Sequence, residues 1–252
     1  MLRWLKADLH VHTVLSPCAE LEMGPRAIVQ AAMAKGLGLL AITDHNAWAN
    51  VAPVVALAAR MGIAVLPGME VQTKEEVHVL CFLPGLKELQ EVGKEIGRHL
   101  PPLENRPEVF GDQIIVDEEE NILSLEDKLL LSSVDLTLEQ VAQITQAAGG
   151  LIIPAHVDRP AFSLLSNLGM DPSGLNVAAL EISASHDPKM VCREFPELEH
   201  YTLVASSDAH RLSDFKTPFV TFFYIAAPTL AEIALACAGR DGRKVVIVPE
   251  SR

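Results

Sequence analysis

The sequence has few basic residues for its number of acidic ones. Its 252 residues include 20 Lys and Arg against 33 Asp and Glu, which gives a formal net charge of -13 at pH 7. A surface of this sign argues against binding nucleic acid or anionic membranes through general electrostatic attraction. It does not exclude a small anionic ligand held by a metal ion, because the ion then dominates the local field.

Aromatic residues are also scarce. Only two Trp and two Tyr are present, so few side chains are available on which nucleobases could stack. With the acidic charge, this scarcity predicts that the protein does not bind nucleic acid stably. No feature of the sequence specifies an oligomeric state.

Paired cysteines and long apolar segments are missing as well. The four cysteines (Cys18, Cys81, Cys192 and Cys237) form no paired spacing and are interpreted as reduced thiols. No stretch is apolar for long enough to span a membrane. The first residues lack the apolar run of a secretory signal. We therefore expect a cytoplasmic protein that does not bind membranes.

Apolar strand signals alternate with helix signals along most of the chain. The predicted strands after the first are residues 39–43, 63–66, 77–83, 151–153, 177–182, 202–205, 219–225 and 245–248. The predicted helices are residues 25–35, 51–61, 138–148 (with Thr137 as N-cap) and 228–238. This alternation predicts an α/β protein with a largely parallel sheet. About seven core strands favour a barrel, complete or distorted.

The middle of the chain breaks this rhythm. Residues 113–116 and 122–123 flank an acidic turn at 117–121, a pattern typical of a β-hairpin. We interpret residues 84–135 as an insertion over the barrel, within a single domain that spans residues 1–252. The acidic turn is either a solvated turn or a lid over the site.

Histidines and carboxylates recur where predicted strands end. His10 and His12 lie two apart in an alternating segment, so their side chains would share one strand face. The other strand-end candidates are Asp44, His45, Glu70, His78, His156, Asp208 and His210. Such a buried set is hard to satisfy without cations, so it predicts a polynuclear metal site. His99, His186 and His200 lie in charged or turn segments and are assigned no site role.

These residue types restrict both the ion and the chemistry. Imidazole with carboxylate suits Zn, Mn or Fe, and Glu70 could bridge two cations. Such a pair can activate a shared water and stabilise both the attacking and the leaving oxygen, which indicates a hydrolase. The sequence contains no Gly-rich phosphate loop and no Gly-x-Ser-x-Gly nucleophile motif.

The ordered motifs resemble those of the PHP (polymerase and histidinol phosphatase) family. They are His10-x-His12-Thr13, Thr43-Asp44-His45-Asn46, Gly68-x-Glu70, the later His156, and Ser207-Asp208-Ala209-His210. The resemblance runs from about residue 7 to residue 224. It implies a distorted (β/α)7 TIM-like barrel with two or three divalent ions at the strand ends. It also implies hydrolysis of phosphoesters by a metal-bridging hydroxide.

The resemblance also implies how the ligands are grouped. The first metal would be held by His10, His12, Glu70 and Asp208, and the second by Glu70, His78 and His156. His45 and His210 would hold a third, with one ligand from the loop after the first strand. Asp44 and Arg159 are the candidate catalytic residues, and Asp44 would orient its neighbours.

That loop departs from the pattern of the family. Many small members have Ser-Asp-Gly there, whereas this chain has Pro17 where the Asp would be. Glu20 is the replacement that we favour, with Glu22 and the soft ligand Cys18 as alternatives. The third metal could also be weak or absent.

Two further residues follow strand ends. Arg159 lies three residues after His156, and its guanidinium is well shaped to bind phosphate, although a salt bridge to Asp158 or another neighbour is an alternative. Glu181 either hydrogen-bonds a ligand histidine or forms a structural ion pair.

The sequence thus predicts a metal-dependent phosphoesterase that uses Mn, Fe or Zn. The acidic chain favours a small or short phosphorylated substrate. A C–N hydrolase of the amidohydrolase type and a non-catalytic metal-binding module remain as alternatives, although no Lys stands at a predicted strand end.

Overall fold

The computed structural model describes residues 1–169 and 175–250. The strands are β1 (Arg3–Asp8), β2 (Leu39–Ile42), β3 (Ala64–Gln72), β4 (His78–Phe82), β5 (Ile114–Val116), β6 (Ile122–Leu125), β7 (Leu151–Pro154), β8 (Leu180–Ser183), β9 (Leu203–Ser206), β10 (Phe219–Ile225) and β11 (Lys244–Pro249). The helices are α1 (Pro25–Ala34), α2 (Val51–Arg60), α3 (Leu86–Arg98), α4 (Pro107–Phe110), α5 (Leu138–Ala147), α6 (Leu164–Leu168), α7 (Pro188–Glu194) and α8 (Leu230–Cys237). Two 3-10 helices span Pro196–His200 and Leu212–Phe215.

Seven strands form one curled sheet in the order β11-β10-β1-β2-β3-β4-β7. Only the β1–β2 and β2–β3 pairs in it are parallel, while its other four pairs are antiparallel. The expectation of a largely parallel sheet is therefore wrong. A short turn joins β3 to β4, so no crossover helix separates them, and β10 pairs antiparallel with β11 although α8 lies between these two strands in the chain.

A separate parallel pair of strands, β8 and β9, follows β7 and extends the curled sheet into an incomplete barrel. The Val157 amide donates to the Glu181 carbonyl at 2.8 Å, which joins the chain after β7 to β8. A parallel bridge between Val11 and Ala209 joins the chain after β9 to the chain after β1. The seven-stranded sheet and the β8–β9 pair therefore form an irregular barrel. The predicted distorted TIM-like α/β barrel is confirmed.

The covering helices follow the sequence pattern closely. In α1, Pro25 starts the helix, and Ile28, Val29 and Ala32 are buried on its inner face. In α5, the Thr137 side chain accepts a hydrogen bond from the Gln140 amide in a full capping box, as predicted. Within the described residues, no helix combines the length and the apolarity needed to cross a bilayer.

The middle segment contains more regular structure than the sequence reading gave it. Helix α3 buries Leu89, Val92 and Ile96 in the same core as the barrel helices. The predicted hairpin is present as β5 and β6. Its acidic turn contacts arginines on the outer helices, with Glu118 2.7 Å from Arg60. The single-domain description, with residues 84–135 as an insertion, stays a prediction.

Candidate metal centre

The predicted site residues meet at one edge of the curled sheet. β1 ends at Asp8, and extended chain then carries His10 and His12 on either side of the bridging residue Val11. His78 is the first residue of β4, whereas the other candidates lie at or near carboxyl ends of strands. Because β4 runs antiparallel to β3, its amino end lies at the same edge as Glu70.

The Glu70 carboxylate lies at the middle of this cluster. Glu70 is only 1% exposed, and both of its oxygens face imidazole nitrogens. The distances from Glu70 Oε1 are 2.9 Å to His78 Nδ1, 3.2 Å to His10 Nε2 and 3.4 Å to His156 Nε2, and those from Oε2 are 2.8 Å to His45 Nδ1 and 3.5 Å to His12 Nε2. This is the arrangement expected of a carboxylate that bridges cations.

Asp208 provides a second carboxylate. Its Oδ1 lies 3.2 Å from the Nε2 atoms of both His10 and His12, and 3.6 Å from His210 Nδ1. Ligand atoms within 4.8 Å of one another fall into three groups: His10 with His12 and Asp208, His45 with Glu70 and His78, and His12 with His45 and His210. His12 and His45 each belong to two groups, so these distances alone do not assign every ligand to one ion.

The donor set fits cations because its polar atoms have no other partners. Both oxygens of Glu70, Oδ1 of Asp208 and Nδ1 of His45 are buried without a hydrogen-bond partner. The ring nitrogens approach these atoms closely, but not in the geometry of a hydrogen bond. Each buried polar group left without a partner lowers the stability of the fold by about 1–3 kcal/mol, and a charged group lowers it by more. Bound divalent ions would satisfy all of them at once.

The cluster also shifts the acidity of its members. Burial by itself raises the pKa of Glu70, but the charges of His78, His10 and His45 outweigh it and hold that pKa well below its usual value. Burial by itself lowers the pKa of His45, yet Glu70 and Cys18 outweigh it and raise that pKa to about 10. In the metal-free protein, His45 therefore carries a proton at pH 7.

Binding of a divalent ion should release that proton. Titrating Zn²⁺ or Mn²⁺ into metal-free protein at pH 7 should release at least one proton per chain, because a ligand imidazole must be neutral. The apparent affinity should then rise with pH between about pH 6 and pH 8, below the His45 pKa. Calorimetry in buffers of different ionisation enthalpy measures this release. A binding heat that does not depend on the buffer would contradict it.

Neighbouring side chains fix the orientation of the imidazoles. His10 Nδ1 lies 2.9 Å from Glu181 Oε2, and His12 Nδ1 lies 2.9 Å from Ser16 Oγ. Both contacts leave Nε2 directed at the carboxylates, which is how outer hydrogen bonds orient metal ligands. Of the two predicted roles of Glu181, the structure thus shows the hydrogen bond to a ligand histidine.

Sequence reasoning missed Gln72 and Ser16. Gln72 Oε1 lies 3.2 Å from His78 Nε2, which leaves His78 Nδ1 facing Glu70. The alternation of a strand could have found Gln72, because it lies two residues after Glu70 and so shares its face. Ser16 lies in an irregular loop, where no periodicity gives the direction of a side chain.

Asp44 supports the loop and belongs to none of the three ligand groups. Its carboxylate accepts hydrogen bonds from the Thr13 amide (2.7 Å), the Thr13 hydroxyl (2.8 Å) and the Ser16 hydroxyl (2.7 Å). The same Ser16 oxygen contacts His12. The predicted orienting role fits these contacts, while direct participation in catalysis, for which Asp44 was also a candidate, finds no support in them.

The structure does not bring Glu20 into the cluster. Its side chain is about half exposed and its Oε1 lies 3.1 Å from Arg211 Nε, so an ion pair holds it outside. Cys18 is exposed, and the imidazoles of His45 and His210 near it affect its thiol. Partial burial alone raises the pKa of that thiol, but the nearby imidazoles of His210 and His45 outweigh it and lower the pKa to about 7.

Arg159 lies at the mouth of the cluster. Its Nη1 is 2.7 Å from Asp208 Oδ2, and its side chain is 41% exposed. The ion pair foreseen as an alternative exists, but its partner is Asp208. The backbone here is strained, since His156 has φ 30° and Asp208 φ 50°. Such conformations persist where function requires them.

Two curated relatives share parts of this chain. The uncharacterized protein YqxK of Bacillus subtilis is 26% identical over 97% of this chain and 65% of its own length. A 3',5'-nucleoside bisphosphate phosphatase of Chromobacterium violaceum is 32% identical over 37% of this chain and 36% of its own. The chain thus spans less than two thirds of the length of either relative.

Among solved structures, the chain is similar to Endonuclease Q. The lesion-specific endonuclease of Pyrococcus furiosus has a TM-score of 0.73 at 21% identity, covering 99% of this chain and 60% of that one. Another structure, with a TM-score of 0.70, 21% identity and coverage of 96% and 58%, holds a 27-mer duplex with an abasic lesion at its active site. The expectation of a small phosphorylated substrate without nucleic-acid binding is therefore wrong. Net charge is an average over the surface and does not describe one groove.

The family comparison agrees with the motifs. The PHP domain matches residues 8–152, more than half of the chain and most of the ligand-bearing strands. The prediction of a metal-dependent phosphoesterase is confirmed at the level of the family. The chain belongs to the PHP domain family.

Proposed function

We propose that this protein is a metal-dependent phosphodiesterase that cleaves nucleic-acid strands. The observation that carries the proposal is the buried Glu70 carboxylate, surrounded by five histidines with neither oxygen hydrogen-bonded. The choice of substrate is supported by the likeness to Endonuclease Q, one structure of which contains duplex DNA. Because the chain spans 60% of that protein, the activity of the whole relative is not carried over unchanged.

The proposed ligands fall into three sets that share residues. His10, His12, Glu70 and Asp208 would hold one ion, and Glu70, His78 and His156 a second. His45, His210 and Cys18 would hold a third. Divalent ions of Mn, Fe or Zn bound there would polarise a phosphoryl group and lower the pKa of water.

The chain's own residues would position the substrate. Arg159 is exposed enough to reach a phosphate, and a guanidinium offers two parallel donors to its oxygens. Asp208 holds Arg159 at the mouth of the cluster, so the guanidinium lies beside the place where a phosphate must bind. Glu181, Ser16 and Gln72 keep the imidazoles in place.

A cavity beside the centre supports the choice of a nucleic-acid substrate. It has a volume of about 430 Å³, and its lining includes Asn46, which follows the ligand His45 in the chain. Trp48 lines it as well, together with three cations (Lys94, Arg98 and Lys128) and the carboxylate of Glu126. On a chain of net charge -13, this local excess of cations would provide contacts for backbone phosphates, and the indole would provide an apolar face.

The direct test is a panel of end-labelled single- and double-stranded oligonucleotides, with and without an abasic site. Protein loaded with Mn²⁺, Zn²⁺ or Fe²⁺ should shorten at least one of them, and chelator-treated protein should shorten none. Cyclic amides in the same panel test the C–N hydrolase alternative. Hydrolysis of an amide without cleavage of any oligonucleotide would overturn the proposal.

Arg159 should affect substrate binding rather than metal binding. Arg159→Ala should raise KM about tenfold or more, as expected for the loss of about 1.5–3 kcal/mol from a charge-assisted contact. Arg159→Lys should recover part of this loss, since it keeps the charge without the planar fork. Steady-state kinetics and elemental analysis on the same preparations check both points. An unchanged KM would show that Arg159 serves only its ion pair with Asp208.

Cys18 should bind the ion held by His45 and His210. Replacing the native ions with Co²⁺ should produce an absorption band from thiolate-to-cobalt charge transfer in the near ultraviolet. Cys18→Ser should remove that band and weaken binding of one ion, while Glu20→Gln should leave both unchanged. The readout does not depend on activity. Loss of the band in Glu20→Gln, or its persistence in Cys18→Ser, would contradict the assignment.

A further inference from the structure

A histidine outside the metal cluster is held by a buried carboxylate at the same edge of the barrel. The Nδ1 atom of His186 lies 2.5 Å from Asp158 Oδ2, and the side chain of Asp158 is only 2% exposed. The other oxygen of Asp158 accepts hydrogen bonds from the Ser183 amide at 2.9 Å and its hydroxyl at 3.2 Å. Asp158 is thus fixed by three contacts, and it fixes the imidazole in turn.

The outer face of this histidine is open. The His186 side chain is 53% exposed, and among the described residues the hydrogen-bond partner of the ring is Asp158, at Nδ1. The turn that carries it is anchored by a hydrogen bond of 3.0 Å from the His186 amide to the Ser183 carbonyl. The buried carboxylate behind the exposed imidazole therefore fixes the orientation of the ring.

The pair lies next to the proposed substrate site. Asp158 stands between the ligand His156 and Arg159, whose guanidinium contacts Asp208. Ser183 lies two residues after Glu181 on β8, so both side chains share the face that supports His10. His186 follows the end of β8 by three residues, so its ring lies at the same edge of the sheet as the cluster.

A serine nucleophile does not account for this arrangement. The Ser183 hydroxyl donates to Asp158 and makes no hydrogen bond with the imidazole. A catalytic serine needs that base at its own oxygen. What the geometry does provide is an exposed imidazole that a buried carboxylate holds in one orientation.

We propose that the His186–Asp158 pair protonates the leaving oxygen when the phosphodiester is cleaved, an inference that rests on the proposed function. Water adds to phosphorus and gives up a proton to the solvent. The bond from phosphorus to the leaving oxygen breaks, its electron pair stays on that oxygen, and the proton of His186 Nε2 neutralises it. The imidazole then takes a proton from the solvent. Asp158 orients the ring and acts as a positioning residue.

A leaving group that needs no proton separates this role from a structural one. Two substrates share a thymidine phosphate: a dithymidine phosphodiester, which releases a sugar alkoxide, and the p-nitrophenyl ester of thymidine 5'-phosphate, which releases a stable phenolate. His186→Gln should lower kcat on the dinucleotide by about 100-fold, the lower end of the range for general acid catalysis. It should lower kcat on the p-nitrophenyl ester by less than about threefold, without changing metal content.

The matched variants make the test specific. Asp158→Asn should reduce kcat on the dinucleotide selectively, and by less than His186→Gln, because the imidazole keeps its proton but loses its orientation. His200→Gln alters another exposed histidine, on the 3-10 helix Pro196–His200, and should change neither rate. Equal losses on both substrates, or no loss on the dinucleotide, would overturn the acid role alone. Failure of the wild-type protein to cleave either substrate would overturn the proposed function, and the acid role with it.

Discussion

The Glu70→Gln variant should lose activity on an oligonucleotide substrate by more than about 100-fold. Loss of an outer hydrogen-bond partner of a metal ligand typically costs about 10–100-fold, and a carboxylate shared by two ions should cost more. Five imidazoles face the two Glu70 oxygens at 2.8–3.5 Å, so no other side chain in the cluster makes as many approaches to ligand nitrogens. Gln keeps the size of the side chain and removes its charge.

Metal content separates this explanation from misfolding. Glu70→Gln should bind fewer ions than the wild type while keeping the same far-ultraviolet circular dichroism. Glu119→Gln, on the exposed acidic turn, removes one negative charge elsewhere and should leave both activity and metal content unchanged. Full activity in Glu70→Gln would exclude Glu70 as a bridging ligand.

Removal of the metals should abolish activity and lower the melting temperature. A ligand present at about 1,000 times its dissociation constant stabilises the folded state by about 4 kcal/mol. For a domain of this size, each kcal/mol corresponds to about 2–4 °C. Loss of a single ion at that saturation should therefore lower Tm by about 8–16 °C. Part of this cost is the set of buried polar atoms at Glu70, Asp208 and His45 that lack hydrogen-bond partners.

Thermal melts before and after dialysis against a chelator measure the effect. Re-addition of Mn²⁺ or Zn²⁺ should restore both Tm and activity. In Glu70→Gln, the chelator should change Tm by much less, because fewer ions are bound at the start. A wild-type Tm that does not respond to the chelator would contradict a metal centre within the fold.

The strand periodicity predicted the position of the centre well because it rests on local geometry. The carboxyl ends of parallel strands meet at one edge, and a hairpin brings the amino end of its second strand to that edge, as His78 on β4 shows. For the same reason, the pattern could not predict strand direction. It also stopped the third strand at residue 66, whereas β3 continues through Glu70 to Gln72. Buried polar residues on a strand do not carry the apolar signal.

Irregular loops were the least predictable part. The loop after β1 carries Ser16, Cys18 and Glu20, and only contacts with other segments decide which of them faces the cluster. Glu20 was favoured for its charge, but Arg211, far away in the sequence, holds it outside. The pair of His186 and Asp158 was missed because its partners lie 28 residues apart and no short motif links them.

The expectation about the substrate failed for a different reason. Net charge predicts the average electrostatic field of the molecule. It does not predict the field in one cavity, such as the one lined by Trp48. Lys94, Arg98 and Lys128 come from α3 and from the segment after β6, and only the fold gathers them around one cavity. Specific contacts with phosphates need few cations, so an acidic chain can still bind nucleic acid.

Elemental analysis of protein purified without chelator tests the central claim most directly. We expect the wild-type chain to bind two to three ions of Mn, Fe or Zn, as proposed, and Glu70→Gln to bind fewer. Both proteins are measured on the preparations used for the oligonucleotide assay. Less than one ion per wild-type chain, in a preparation that still cleaves the substrate, would contradict a metal-dependent mechanism at this centre.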